Sequence, residues 1–82
     1  MGKTKIAIRL PDLGDVADVR IVLWLKGAGD PVEEGEDLLE VETEKTTFVV
    51  PAPGTGRLAR VAVAEGETAV RGDVLGEIDP DA

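Results

Sequence analysis

The sequence predicts an all-β domain: a flattened β-sandwich or barrel of two antiparallel sheets with internal pseudo-twofold symmetry. Three observations predict it. Apolar residues alternate with polar ones over short runs, the period of half-buried strands. Ten Gly and five Pro are spread along 82 residues as turn signals, and nowhere do apolar residues hold a helical period over three turns. Finally, an internal repeat runs through the chain. Gly29 and Gly66, Gly35 and Gly72, Leu38 and Leu75, and Glu40 and Glu77 are each 37 residues apart. At the same offset Asp30 matches Glu67, Ile21 matches Leu58, Glu36 matches Asp73 and Val41 matches Ile78. Two similar half-folds about a pseudo-twofold axis would give two packed sheets.

The elements follow in order. Lys5 to Leu10 alternates charged and apolar residues, a first strand halted by Pro11. Asp12-Leu13-Gly14-Asp15 is an exposed turn, and Asp18 to Leu25 a second strand rich in Val, Ile, Leu and Trp. Gly27, Gly29 and Pro31 break it. Gly27-Ala28-Gly29 is only half of a dinucleotide fingerprint, with no further glycine in place and no helix after it, so it reads as a turn. Val32 to Asp37 is short and acidic. Strands are expected on both sides of Lys45, then a long strand from Arg57 to Ala64, turns at Glu65-Gly66-Glu67 and Gly72-Asp73, and a last strand from Val74 to Ile78. By the repeat, Ile21, Leu58, Val41 and Ile78 should share one core, and the Lys45 hairpin should lie opposite the chain ends. The chain is read as a single domain, 1–82, with its core at about 5–79.

Composition narrows the chemistry. The only aromatic residues are Trp24 and Phe48, so the core must be aliphatic. Cysteine is absent, which excludes disulfides, thiolate metal sites and thiol nucleophiles. Histidine, the commonest general base and metal ligand, is absent too. A net charge of −8, from 17 acidic and 9 basic residues, argues against nucleic acid and anionic membrane as partners and favours basic protein surfaces. No apolar run approaches the ~20 residues of a membrane span, and no signal peptide is evident. Met1-Gly2 fails as a myristoylation signal because Ile6 stands where Ser or Thr is needed. Cytoplasm or an organelle matrix is the expected location.

Glu42-Thr43-Glu44-Lys45-Thr46-Thr47-Phe48 is the stretch that asks for a function. Leu39-Glu40-Val41-Glu42 alternates before it, while Phe48 and Val50 share a side after it, bounded by Pro51 and Pro53. So short a gap between strands implies a tight hairpin with Glu44 and Lys45 at or near its tip. The tip lacks the Asn-Gly or Asp-Gly of favoured hairpin turns. Poor local turn chemistry is a mark of functional sites, although on turn chemistry alone an ordinary solvated surface lysine is the favoured reading, and it is the rest of the chain that overturns it.

The ordered set of motifs resembles the biotinyl/lipoyl attachment family, specifically the lipoyl domains of 2-oxo acid dehydrogenase acyltransferase components. The resemblance runs from Ile6 to Asp79. Leu10-Pro11-Asp12-Leu13-Gly14 is similar to the family's opening turn, Gly29-Asp30-Pro31-Val32 to its G-D-x-V, and Glu42-Thr43-Glu44-Lys45-Thr46 to its E-T-D-K-A. Pro51, Pro53 and Gly56 stand six, eight and eleven residues past Lys45, as in P-x-P-x-x-G, and Glu65-Gly66-Glu67 and Gly72-Asp73-Val74-Leu75 match the closing motifs. Glu44 for the usual Asp and Thr46 for the usual Ala are the departures. They bear on partner preference more than on attachment.

The resemblance implies a barrel-sandwich hybrid fold and lipoate amide-linked to Lys45, with Glu44, Thr46, Gly56, Leu13, Gly14 and Asp15 serving recognition by the modifying enzyme or partners. It implies a non-catalytic, monomeric carrier without metal. The implied partners are a lipoate ligase or an octanoyltransferase with lipoyl synthase, a thiamine-diphosphate decarboxylase component, an acyltransferase core and dihydrolipoamide dehydrogenase. Acyl groups would pass from the decarboxylase through the tethered dithiolane to coenzyme A, each transfer being effectively intramolecular.

Three other readings are set beside this one. A biotin carboxyl carrier would place the same lysine between methionines, whereas here the neighbours are Glu44 and Thr46 and the one methionine is Met1. An unmodified β-sandwich interaction module would leave Lys45 bare. An enzyme or calcium-binding reading of Glu33, Glu34, Glu36 and Asp37 lacks both the Asp-x-Asp-x-Asp-Gly spacing and any histidine, so the run is expected to be a solvated acidic face.

Overall fold

The computed structural model describes residues 4–11 and 18–80. It holds eight strands: β1 (Ile6–Arg9), β2 (Asp18–Trp24), β3 (Pro31–Val32), β4 (Asp37–Glu42), β5 (Thr47–Pro51), β6 (Gly56–Val61), β7 (Thr68–Val70) and β8 (Val74–Asp79). They form two antiparallel four-stranded sheets, ordered β1-β8-β6-β3 and β5-β4-β2-β7. The body measures 41 × 20 × 20 Å. The expected turn at Asp12-Leu13-Gly14-Asp15 lies outside the described residues.

The repeat is physical. Ile21 pairs with Val41 across β2 and β4, and Leu58 with Ile78 across β6 and β8. Both ladders carry their register shift in the same place, at Ile21/Leu23 and at Leu58/Arg60. The turns agree atom for atom: Gly29 N–H donates to Leu58 O and Gly66 N–H to Ile21 O, each at 2.7 Å. The Asp30 carboxylate accepts from Gly27 N–H and the Glu67 carboxylate from Ala64 N–H, each at 2.8 Å. Gly29, Gly35, Gly66 and Gly72 all take positive φ, between 86° and 95°, the conformation that makes glycine necessary at each turn. Ile6 stands opposite Ile78 as Phe48 stands opposite Val41, so β1 serves the second half as β5 serves the first. The described chain ends thus take the place that the Lys45 turn holds in the other half.

The core is aliphatic throughout. Ile8, Ile21, Leu38, Leu39, Val41, Leu58, Leu75 and Ile78 are sealed between the sheets, and Trp24 packs against them from the side. Leu38 and Leu39 are both buried although adjacent, because the β4–β5 register shifts at Asp37/Leu39 and the bulge turns two successive residues inward. Phe48 shares the inward side with Val50, yet it is 37% exposed against 3% for Val50. It lies next to the turn, one residue past the Glu42–Thr47 pair that closes the ladder.

Three expectations need correction. Two strands escaped the sequence reading, Pro31–Val32 and Thr68–Val70, which are too short to show a period. The strand expected to reach Ala64 ends at Val61, because Ala62 and Val63 both donate to the single carbonyl of Leu75 and leave the ladder. Pro51 lies within β5 instead of bounding it. Because β5 is an edge strand, the missing N–H costs no ladder bond, and the same holds for Pro31 in β3.

Candidate functional site

Glu42 and Thr47 close the β4–β5 ladder, leaving Thr43-Glu44-Lys45-Thr46 as the hairpin turn. Glu44, Lys45 and Thr46 are exposed, as expected, and Thr43 is 8% exposed. Its hydroxyl organises the turn. Oγ1 accepts the backbone N–H of Lys45 at 3.1 Å and that of Thr46 at 3.0 Å, and donates to Thr46 O at 3.1 Å. The amide of Thr43 also donates to Thr46 O at 2.8 Å. One hydroxyl therefore uses its donor and both acceptor lone pairs within four residues.

This resolves the poor turn chemistry of the sequence. Asn-Gly would supply positive φ, but no non-glycine residue among those described has positive φ. A side-chain cap replaces the special backbone. Thr43 is the functional residue that the sequence reading missed. The signal was present: a Ser or Thr opening a turn commonly caps the amides that follow it.

The charges around the lysine are arranged so as to leave it free. Glu42, on the preceding strand, is held by the Arg20 guanidinium of β2 at 3.0 Å. No carboxylate among the described residues pairs with the Lys45 ammonium. A primary amine thus projects from a hairpin whose backbone is fixed from below, exposed to solvent.

The other candidates sit elsewhere. Gly56 opens β6, where a β-carbon would collide with the backbone carbonyl of Asp79, so this glycine permits a close approach of backbone segments. Leu13, Gly14 and Asp15 fall outside the described residues. The acidic run is a solvated face, as expected, with Glu33, Glu34 and Asp37 exposed and Glu36 engaged in the turn. Glu36 accepts from Glu33 N–H at 3.0 Å and pairs with Lys26 at 3.1 Å, and these two contacts, the backbone bond foremost, hold its carboxyl below the ordinary value. It closes the turn as Asp73 does in the other half, through Val70 N–H. No group of three or more potential metal ligands gathers among the described residues. An open cleft of about 520 Å³ lies between the equivalent segments 24–27 and 61–65. Its polar groups are already engaged: the Trp24 indole N–H donates to Val63 O, Trp24 N–H to the Glu65 carboxylate, and Lys26 pairs with Glu36.

Comparison with known proteins agrees with this geometry. Residues 6–78 match the Biotin_lipoyl family model, described as biotin-requiring enzyme. The dihydrolipoyllysine-residue acetyltransferase components of the pyruvate dehydrogenase complexes of Staphylococcus aureus and Staphylococcus epidermidis are 45% identical over 76 residues, which is 90% of this chain and 18% of theirs. The chain therefore spans about a fifth of the length of these relatives. Among solved structures, the lipoyl domain of the 2-oxoglutarate dehydrogenase complex from Azotobacter vinelandii superposes with a TM-score of 0.73 at 31% identity, over 89% of this chain and 94% of that one. A single-chain, multi-domain long-chain acyl-CoA carboxylase superposes at 0.79 and 23% identity, over the whole of this chain and 8% of that one. The second likeness is of fold alone.

Proposed function

The chain belongs to the biotin/lipoyl attachment family as a lipoyl domain, and on that premise we propose that it carries lipoate in amide linkage on Lys45. The observation that supports this reading is the geometry of one turn: the amine of Lys45 stands exposed, with no carboxylate partner among the described residues, while the Thr43 hydroxyl holds the lysine amide from beneath. A dithiolane attached there supplies the disulfide and acyl-accepting sulfur chemistry that a cysteine-free chain lacks.

The work of the chain itself is presentation. The two-sheet body keeps the backbone at 45 rigid, so that motion is confined to the side chain and its extension. Tethering raises the local concentration of the carried group at each active site it visits. Forming the amide removes the lysine charge and takes the domain from −8 to −9. This deepens the acidic field that favours basic partner surfaces. In this reading the domain is non-catalytic and works with a lipoate ligase or the octanoyltransferase and lipoyl synthase pair, a thiamine-diphosphate decarboxylase component, an acyltransferase core and dihydrolipoamide dehydrogenase, in the cytoplasm or a mitochondrial matrix.

The test is reductive acylation. Lipoylated domain is incubated with radiolabelled 2-oxo acid and the cognate decarboxylase component, with pyruvate and 2-oxoglutarate tried separately. Label transferred to the domain with one of them supports the carrier reading and names the substrate. Lipoylated domain that accepts label from neither, with decarboxylases active toward their own domains, contradicts it. Biotin ligase is the parallel arm: efficient biotinylation of Lys45 without lipoylation would move the reading to a carboxyl carrier.

A further inference from the structure

The two halves of this molecule are built alike, so a position where they differ marks what one half does and the other does not. Across the outer face of the sheet that carries Lys45, Leu23, Glu40 and Val49 stand directly opposite one another on β2, β4 and β5, which puts their side chains on one side. The equivalent row on the other sheet is Arg60, Glu77 and Ala7. There the glutamate is satisfied within the chain, Arg60 reaching it at 3.4 Å. In the Lys45 half the arginine position is Leu23, and no cation among the described residues meets Glu40. The flanking side chains are apolar and open: Leu23 is 41% and Val49 45% exposed. A half-buried carboxylate between two exposed aliphatic side chains, where the equivalent glutamate of the other half is paired, is an unfinished contact.

We infer that this row is a docking surface for a protein partner that presents one arginine or lysine flanked by apolar side chains, the cation meeting Glu40 and the apolar groups covering Leu23 and Val49. The charge fixes the class of occupant. A chain of net charge −8 repels nucleic acid, anionic lipid and a second copy of itself, and Arg20, the cation nearest on this face, is already paired with Glu42. The face is continuous with the site, because β4 and β5 supply Glu40 and Val49 and also carry the Lys45 turn. A partner seated there would therefore have Lys45 at its edge. The inference rests on the carrier reading and assigns the surface to the partner that must hold the domain while the arm enters its active site, the acyl-donating decarboxylase.

Leu23→Arg tests it by giving this half the residue the other half already has. The new guanidinium pairs with Glu40 as Arg60 pairs with Glu77, so the fold is preserved while the docking contact is consumed. Glu40→Gln removes the charge at nearly constant shape, and Arg60→Leu is the control on the opposite sheet. The variants are lipoylated with lipoate ligase and assayed for reductive acylation by the cognate decarboxylase. Leu23→Arg and Glu40→Gln should lower kcat/KM by about ten-fold or more, mainly through KM. Arg60→Leu should stay within about two-fold of wild type, and urea midpoints and ligase labelling should hold throughout. The salt dependence of wild-type kcat/KM should be weaker in Glu40→Gln. Normal acylation of both face variants overturns the inference and leaves the carrier reading standing. Wild-type domain that cannot be lipoylated or acylated overturns both. Concentration-dependent dimerisation of wild type that Leu23→Arg abolishes would make the occupant a second copy and overturn the inference as stated.

Discussion

The hydroxyl of Thr43 receives the backbone N–H of Lys45 at 3.1 Å from inside the hairpin, so the attachment residue is positioned by a side chain two residues before it. Thr43→Val keeps the shape and removes the cap, stranding the amides of Lys45 and Thr46, while Thr46 O keeps the backbone N–H of Thr43. We expect a loss of about 1–2 kcal/mol in urea unfolding and slower labelling of Lys45 by lipoate ligase, with Thr43→Ser restoring both. Wild-type stability and labelling in Thr43→Val would remove the hydroxyl from the account. Exchanging residues 44 and 45, so that lysine precedes glutamate, should cut labelling sharply while leaving the urea midpoint in place.

The core prediction follows from the pairing of Ile21 with Val41 and Leu58 with Ile78, all four at 1% exposure or less. Val41→Ala and Ile78→Ala should each cost about 1–4 kcal/mol, a large share of the ~5–10 kcal/mol such a domain has. Lys45→Ala should change stability by less than about 0.5 kcal/mol. A Lys45→Ala loss as large as that of Val41→Ala in urea unfolding would mean that the lysine is structural.

Gly56 separates recognition from architecture. A β-carbon there meets the Asp79 carbonyl, so Gly56→Ala should lower the urea midpoint by about 1–3 kcal/mol equivalent. Poor labelling of that variant would then reflect distortion of the backbone. If Gly56→Ala were as stable as wild type and still poorly labelled, the glycine would be read directly by the modifying enzyme.

Glu36 gives a pH dependence. Its carboxyl titrates below the ordinary value because the ionised form accepts from Glu33 N–H and pairs with Lys26. A depressed folded-state value means that the contribution is present above the unfolded-state value and lost as pH falls through the folded one. Glu36→Gln should therefore destabilise the domain at neutral pH and converge with wild type in acid. A constant difference between the two urea midpoints down to acid pH would exclude this linkage.

The Leu13-Gly14-Asp15-Val16 segment enters only through family resemblance. Substituting Leu13 and Asp15 should lower reductive acylation while leaving lipoylation intact. Equal loss of both activities would indicate misfolding, and no loss would take the segment out of the interface.

Much of this was legible in the sequence for a physical reason. A repeat that places glycine at 29, 35, 66 and 72 constrains backbone turns, and turns with positive φ admit few other residues. That is why the offset of 37 located Ile21, Leu58, Val41 and Ile78 in one core. The turn at 43–46 was legible as an anomaly but not as a solution, since its stability comes from a buried hydroxyl and not from a turn dipeptide. The strands Pro31–Val32 and Thr68–Val70 exist only because a longer strand lies beside them, so local pattern could not reveal them. The bare row of Leu23, Glu40 and Val49 depends on register across three strands, which no single segment encodes.

The carrier account turns on one covalent bond, and intact mass spectrometry with peptide mapping after incubation with lipoate ligase, lipoate and ATP tests it most directly. The account predicts a single lipoyl amide on the wild-type chain, mapped to Lys45, and no gain in mass for Lys45→Arg. An adduct on Lys45→Arg to the wild-type extent, or one mapped to Lys3, Lys5 or Lys26, would contradict it.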